Sequence, residues 1–241
     1  MKLTGRQKIT IVALALYWIV LAFVAHIPIP KLVYQAQVSD KWLHFLAYLN
    51  LIFLLWFSIR PDRKVVWRSR LVWLVLFTAC AYGGIDELTQ PIFGRTKDFV
   101  DFLANVAGLL TGLILFTFMT FWPSLLATLA ITIFGVTNLA KADLSKLFPI
   151  SDAVFHFFAY AFFALVWTRI MKQYFSYKSS WGRSLSAIGV PFGFLLVVKA
   201  GSLLLGRHFA MTDLLFGAAG IISVAVSQYF SRIRTPGKNG H

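Results

Sequence analysis

Residues 39–48 read SDKWLHFLAY and residues 151–160 read SDAVFHFFAY. Ser, Asp, His, Phe, Ala and Tyr recur in the same places at an offset of 112 positions, as between Ser39 and Ser151. The same shift carries Gly94-Arg95 onto Gly206-Arg207, Asp101 onto Asp213 and Ala107-Gly108 onto Ala219-Gly220. Apolar helices resemble one another by chance, but they rarely hold one ungapped register through Asp, His, Tyr, Arg and Asp. The pattern reads as an internal duplication of a four-helix unit. An even number of spans per copy makes the two copies parallel, related by an axis along the membrane normal.

The rest of the chain explains why such a unit belongs in a membrane. Of 241 residues, 59% are hydrophobic and 13% charged, whereas a soluble domain is about half apolar and about a quarter charged. A spanning helix needs about 20 mostly apolar residues. Eight stretches qualify: Ile9–Ile27, Trp42–Ile59, Leu71–Leu88, Phe99–Phe121, Ser124–Leu139, Ala153–Met171, Leu185–Leu205 and Met211–Phe230. The fifth is the shortest, and Trp122-Pro123 divides it from the fourth. The expected fold is therefore an all-α, polytopic membrane bundle of eight transmembrane helices, built as two parallel four-helix repeats. The first repeat covers residues 1–122, the second covers 123–231, and a disordered cytoplasmic tail covers 232–241.

A net charge of +14 would fit a nucleic-acid binder, but the basic residues lie in short loops between apolar runs. That placement is topogenic and favours anionic lipid headgroups, so no nucleic acid is expected. With the N-terminus cytoplasmic, fifteen Lys and Arg fall on the inner side and eight on the outer. Both termini are then expected on the cytoplasmic side of the inner (cytoplasmic) membrane. The opening Lys2, Arg6 and Lys8 before an apolar run would also suit a signal peptide; the reading adopted is an uncleaved first span. Cys80 stands alone within an apolar run, which leaves no disulfide framework and no thiolate metal site.

This topology sends every repeated polar motif to the outer face. Asp40, His44 and Tyr48 are spaced four apart, on one side of a helix. Asp98, Asp101, Asn105, Gly108 and Gly112 share one side of the fourth span, where the glycines permit close helix approach. Between these sets, Asp86, Glu87 and Gln90 close the third span before Pro91. Glu87 is the sole Glu of the chain. Arg95, in the loop after it, is the expected partner of Glu87, Asp98 or Asp101. The plainest account of these charges is a structural network tying two helices together, with Asp40 as a helix cap. The alternative is a carboxylate-rich pocket with Glu87, His44 and Asp101 as catalytic candidates, His44 or Glu87 acting as general base. In that pocket Asp40, Tyr48, Gln90, Arg95, Asp98 and Asn105 bind the ligand. Nitrogen and oxygen donors are present, but no compact signature such as HExxH accompanies them. No metal and no cofactor are therefore expected.

The order DKxxHFxxY, ExxQ, R, DxxDxxxNxxG resembles the VanZ-like membrane domain. It is carried by Asp40-Lys41, His44-Phe45 and Tyr48, then Glu87 and Gln90, then Arg95, then Asp98, Asp101, Asn105 and Gly108. The resemblance spans Ser39 to Gly112 in full and the second copy in part. It implies a membrane-embedded helical unit in a family named after a protein associated with teicoplanin resistance, and it supplies no reaction. The second copy departs from the pattern: Lys199 replaces Glu87, Ser202 replaces Gln90, Ala210 replaces Asp98 and Gly217 replaces Asn105. One working site in the first half follows, with the second half as scaffold. Lys199, counted among the ligand-binding residues, is expected to reach Glu87 across the pseudo-symmetric interface.

Three functions fit these residues. The first is a VanZ-like protein that binds or acts on a lipid-linked or amphiphilic ligand at the outer leaflet, as in protection from a glycopeptide antibiotic. The second is a noncatalytic subunit packed against another membrane protein through its aromatic surface. The third is a lipid transporter or flippase, which the apolar character of the spans below Asn105 and Tyr48 weighs against.

Overall fold

The computed structural model describes residues 3–26, 39–94, 97–140, 150–176, 179–206 and 210–233. Eight helices account for nearly all of them: α1 (Gly5–His26), α2 (Asp40–Ile59), α3 (Arg70–Thr89), α4 (Phe99–Phe118), α5 (Phe121–Phe134), α6 (Ser151–Tyr174), α7 (Ser180–Leu204) and α8 (Met211–Ile233). Each is long and apolar enough to cross a bilayer, α5 by running on through a π-turn at Gly135–Leu139. The protein is an all-α integral membrane protein.

Local chemistry sets the helix ends. Ser69 Oγ accepts from Leu71 N to start α3, and Asp98 Oδ1 accepts from Val100 N at 2.8 Å to start α4. Both satisfy amide groups that the first turn leaves open. Pro91 ends α3 in a short 3₁₀ turn, Gln90–Phe93, which closes at Gly94 with φ of 76°. A left-handed residue there favours glycine. Pro123 lies in the first turn of α5, where a missing N–H is tolerated.

The chain divides into two compact units, Met1–Ala142 and Asp143–His241. α5, which follows the repeat boundary expected after residue 122, packs with the first of these units. Asn50 of α2 donates to Thr132 Oγ1 at 2.9 Å, and the Leu46 side chain crowds against Gly135. Helices α1 and α5 thus flank α2 within the first unit. The expected disordered tail lies outside the described residues beyond position 233.

The first unit is organised around the α2–α4 pair. A Cβ on Gly108 would lie 2.3 Å from the Phe45 carbonyl oxygen, and one on Gly112 would lie 2.4 Å from Ile52 Cγ2. Only glycine allows the two backbones to come so close. Below the crossing, Phe53, Phe57, Phe116 and Phe121 pack ring on ring at 5.0–5.8 Å. In lipid there is little hydrophobic gain from such burial, so dispersion and shape fit hold these helices together. The basic end of this unit carries α1's start: Arg6 pairs with Asp62, and Gln7 Nε2 donates to the Ser58 carbonyl. The acidic residues gather at the other end.

The second unit repeats one feature closely. α6 and α8 cross where a Cβ on Gly220 would meet the Phe157 carbonyl oxygen at 2.2 Å. Phe157 and Gly220 are the residues 112 positions beyond Phe45 and Gly108.

Candidate functional site

At the acidic end of the first unit, three elements converge: the first two turns of α2, the last turn of α3 and the start of α4. α2 supplies Asp40, Lys41 and His44 from its first two turns. α3 supplies Glu87, with Gln90 in the 3₁₀ turn behind it. α4 supplies Asp101 and Asn105 one helical turn apart, with Asp98 as its cap. The close α2–α4 crossing at Gly108 lies one turn below Asn105 and fixes the spacing of the two helices there.

The contacts form a chain. His44 Nδ1 lies 3.0 Å from Asn105 Oδ1 and 3.6 Å from Glu87 Oε1. Gln90 Nε2 donates to the same Glu87 oxygen at 3.1 Å. His44 Nε2 faces Asp40 Oδ1 at 3.7 Å. Lys41 Nζ donates to Asp98 Oδ2 at 3.1 Å and stands 3.7 Å from Asp101 Oδ1. His44, Glu87, Gln90, Asp101 and Asn105 are all buried, while Asp98 and Lys41 sit at the exposed rim. The Val100 amide and then the Lys41 ammonium hold the Asp98 carboxyl below the usual carboxylate range.

Of the predicted site residues, the structure gathers Asp40, His44, Glu87, Gln90, Asp98, Asp101 and Asn105 into this one cluster. Tyr48 is placed one turn deeper, against Gly83, with its hydroxyl buried. Arg95, the expected counter-ion, lies outside the described residues. Lys199 belongs to the second unit, where its Nζ donates to Asp213 Oδ2 at 2.7 Å. Sequence reasoning passed over Lys41 as a site residue. It takes, toward Asp98 and Asp101, the part assigned to Arg95. The signal was available: a Lys directly after Asp40 at a helix start points up the same helix end as the carboxylates across from it.

Four buried polar atoms in the cluster have no hydrogen-bond partner among the described residues: Glu87 Oε2, Gln90 Oε1, Asp101 Oδ1 and Asn105 Nδ2. Buried polar groups are nearly always paired in folded proteins. All four lie in this one corner of the first unit. Three of the four are oxygens, so the cluster is poised to accept hydrogen bonds or to hold positive charge. A cleft of about 500 Å³ opens beside it between α3 and α4. Glu87, Lys97 and Asp98 line its polar side, and Leu88, Phe99 and Phe102 its apolar side.

Residues 5–122 match the family model described as VanZ/LLP1. That span contains the whole cluster. No curated protein and no solved structure gives a significant match to the chain.

Proposed function

The chain is a VanZ-like family membrane protein through residues 5–122, and from that premise we propose that the acidic end of its first unit binds a lipid-linked or amphiphilic ligand. The observation that carries this reading is the cleft between α3 and α4. It joins the buried Glu87 carboxylate to exposed apolar surface: Glu87 is 6% exposed, whereas Phe99 and Leu88 are 70% and 68% exposed. A molecule with a polar head and an apolar tail matches both halves at once. Among the described residues, the four carboxylates of Asp40, Glu87, Asp98 and Asp101 outnumber the two ammoniums at the cluster and its cleft, Lys41 and Lys97. The head group favoured is therefore rich in donors or cationic.

The Lys and Arg bias favours this end at the outer leaflet of the cytoplasmic membrane, with both termini inside. A ligand there is reached from the lipid without crossing the bilayer. Capture of an amphiphilic glycopeptide, or of the lipid-linked precursor that such an antibiotic attacks, would connect the cleft to teicoplanin-type resistance. His44, held by Asn105 and Glu87, supplies a base if capture leads to chemistry, with Asp101 and Glu87 as its acidic neighbours. The matching glycine contacts at Phe45 and Phe157 favour descent of the two units from one duplicated ancestor.

The test is direct binding. The purified chain in nanodiscs is titrated with a fluorescent amphiphile carrying an ammonium head, and separately with one of equal chain length carrying a sulfonate head. Saturable binding of the first, lost in Glu87→Lys but not in Lys172→Gln, is the expected result. Equal partition of both probes into wild type, Glu87→Lys and empty nanodiscs would end the proposal.

A further inference from the structure

We propose that Asp40, His44 and Asp101 form a divalent-cation site, filled by a borderline transition metal such as Zn²⁺ or Mn²⁺. One donor atom from each of the three lies within 4.8 Å of the other two. The orientation of the imidazole is the first argument. His44 Nδ1 faces two oxygens, Asn105 Oδ1 at 3.0 Å and Glu87 Oε1 at 3.6 Å. The nearer acceptor is Asn105 Oδ1, and in the tautomer with the proton on Nδ1 the imidazole donates to it. In that tautomer Nε2 carries the lone pair a metal needs, on the side of Asp40 Oδ1 at 3.7 Å. A histidine fixed through one nitrogen by an oxygen acceptor, with the other nitrogen directed at carboxylates, is the arrangement that metal-bound histidines use.

The second argument is the unmet demand of Asp101. It is 4% exposed, and its Oδ1 has no hydrogen-bond partner. Lys41 Nζ stays 3.7 Å away, hydrogen-bonded instead to Asp98 at the rim, with about half its side chain in the open. Lys41 can retreat wholly onto Asp98 when a cation enters.

The second unit is an internal contrast. It keeps the same residue types as Asp152, His156 and Asp213, but Lys199 Nζ occupies Asp213 at 2.7 Å, and His156 Nδ1 lies 2.8 Å from the Asp152 carbonyl oxygen. Among the described residues, the donor trio forms in the first unit alone. The ammonium that fills the second unit's acidic corner is fixed to its helix. In the first unit, Glu87 stands at that position, and a diffusible cation takes the role.

One imidazole nitrogen with two carboxylate oxygens suits Zn²⁺ or Mn²⁺ better than a soft ion. Metal–ligand bonds of about 2.0–2.2 Å require the trio to close slightly, which Asp40, half-buried in the first turn of α2, can do. Three protein ligands leave positions open to water, and the site stands independently of the function proposed above.

The full chain, stripped with a chelator and desalted in nanodiscs, is titrated with ZnCl₂ and with MnCl₂ by calorimetry. Wild type is expected to take up one ion per chain. His44→Gln and Asp101→Asn should each weaken uptake at least tenfold, and Asn105→Ala, which only orients His44, by about 10–100-fold. His156→Gln should leave uptake unchanged. Asp40→Asn, at a half-exposed position, gives the reading independence from folding defects in the buried variants. Uptake unaltered by His44→Gln and Asp40→Asn, or no uptake by folded wild type, overturns the site. Amphiphile binding measured in chelator stands or falls separately, so the two proposals fail in different experiments.

Discussion

The corners built by α2–α4 and by α6–α8 start from the same residues and end in opposite states. In the second, Lys199 and Asp213 form a closed ion pair at 2.7 Å, both largely buried. In the first, the position of Lys199 belongs to Glu87, and Asp101 is left with an ammonium 3.7 Å away. The second corner also has Gly217 in place of Asn105, and His156 Nδ1 is held instead by the Asp152 carbonyl oxygen of its own helix at 2.8 Å. A charge reversal at Glu87/Lys199, with the loss of the Gln90, Asp98 and Asn105 counterparts, thus separates a closed ion pair from a carboxylate-rich corner. The backbone frame differs little: the glycine-to-carbonyl approach is 2.3 Å in one and 2.2 Å in the other. A scaffold can be retained while the chemistry placed on it is cancelled.

Five substitutions press on that comparison. Lys199→Met strands Asp213 in a buried setting, and its cost should be about 3–5 kcal/mol, read as a fall in unfolding free energy in detergent. Glu87→Gln removes a charge from an already acidic corner and should leave stability nearly unchanged. Equal losses for these two would erase the distinction drawn between the corners. Gly108→Val and Gly220→Val should each cost about 1–3 kcal/mol by forcing the helices apart, and thermal melts should move by similar amounts. Disparate shifts would show that the two crossings are not equivalent supports. Asn105→Ala should cost about 1–3 kcal/mol, since the buried His44 Nδ1 loses its hydrogen-bond partner. The His44 ring resonance should shift in that variant.

Asp98→Asn should have the smallest effect, because Asp98 is at the rim. Its carboxyl is held below the ordinary range in the folded state, so the stabilisation is complete above the unfolded value of about 3.9. It is lost as pH falls through the lower folded value. The melting temperatures of wild type and Asp98→Asn should differ at pH 6 and converge as acid protonates Asp98. Ala210 occupies the matching position in the second unit, so Ala210→Asn should show no such pH-dependent difference from wild type.

Much of this was legible beforehand. Eight apolar runs gave eight spans, because a bilayer demands a length and a composition that can be counted along a chain. Asp40 and His44, four apart, had to share a helix face, and Asp101 and Asn105 likewise. Their convergence with Glu87 followed from the order of the spans. The fifth helix was harder to assign: its start at Phe121 is hidden by Pro123, which is harmless in a first turn. Its packing with the first unit depends on Asn50 meeting Thr132 across 82 positions of chain. Lys41 was missed because a basic residue in a membrane loop region has a ready topogenic explanation.

The sequence by itself determined the class of the protein, its spans and the residues that recur at 112 positions. Those properties depend on hydropathy and local period, which are sums over neighbours in the chain. Only the tertiary structure decided which charges meet. Whether Asp101 faces Lys41 and Asp213 faces Lys199, and at what distance, depends on how closely two helices cross. That closeness comes from the shape left by a missing side chain at Gly108 and Gly220, set against carbonyls more than sixty residues away.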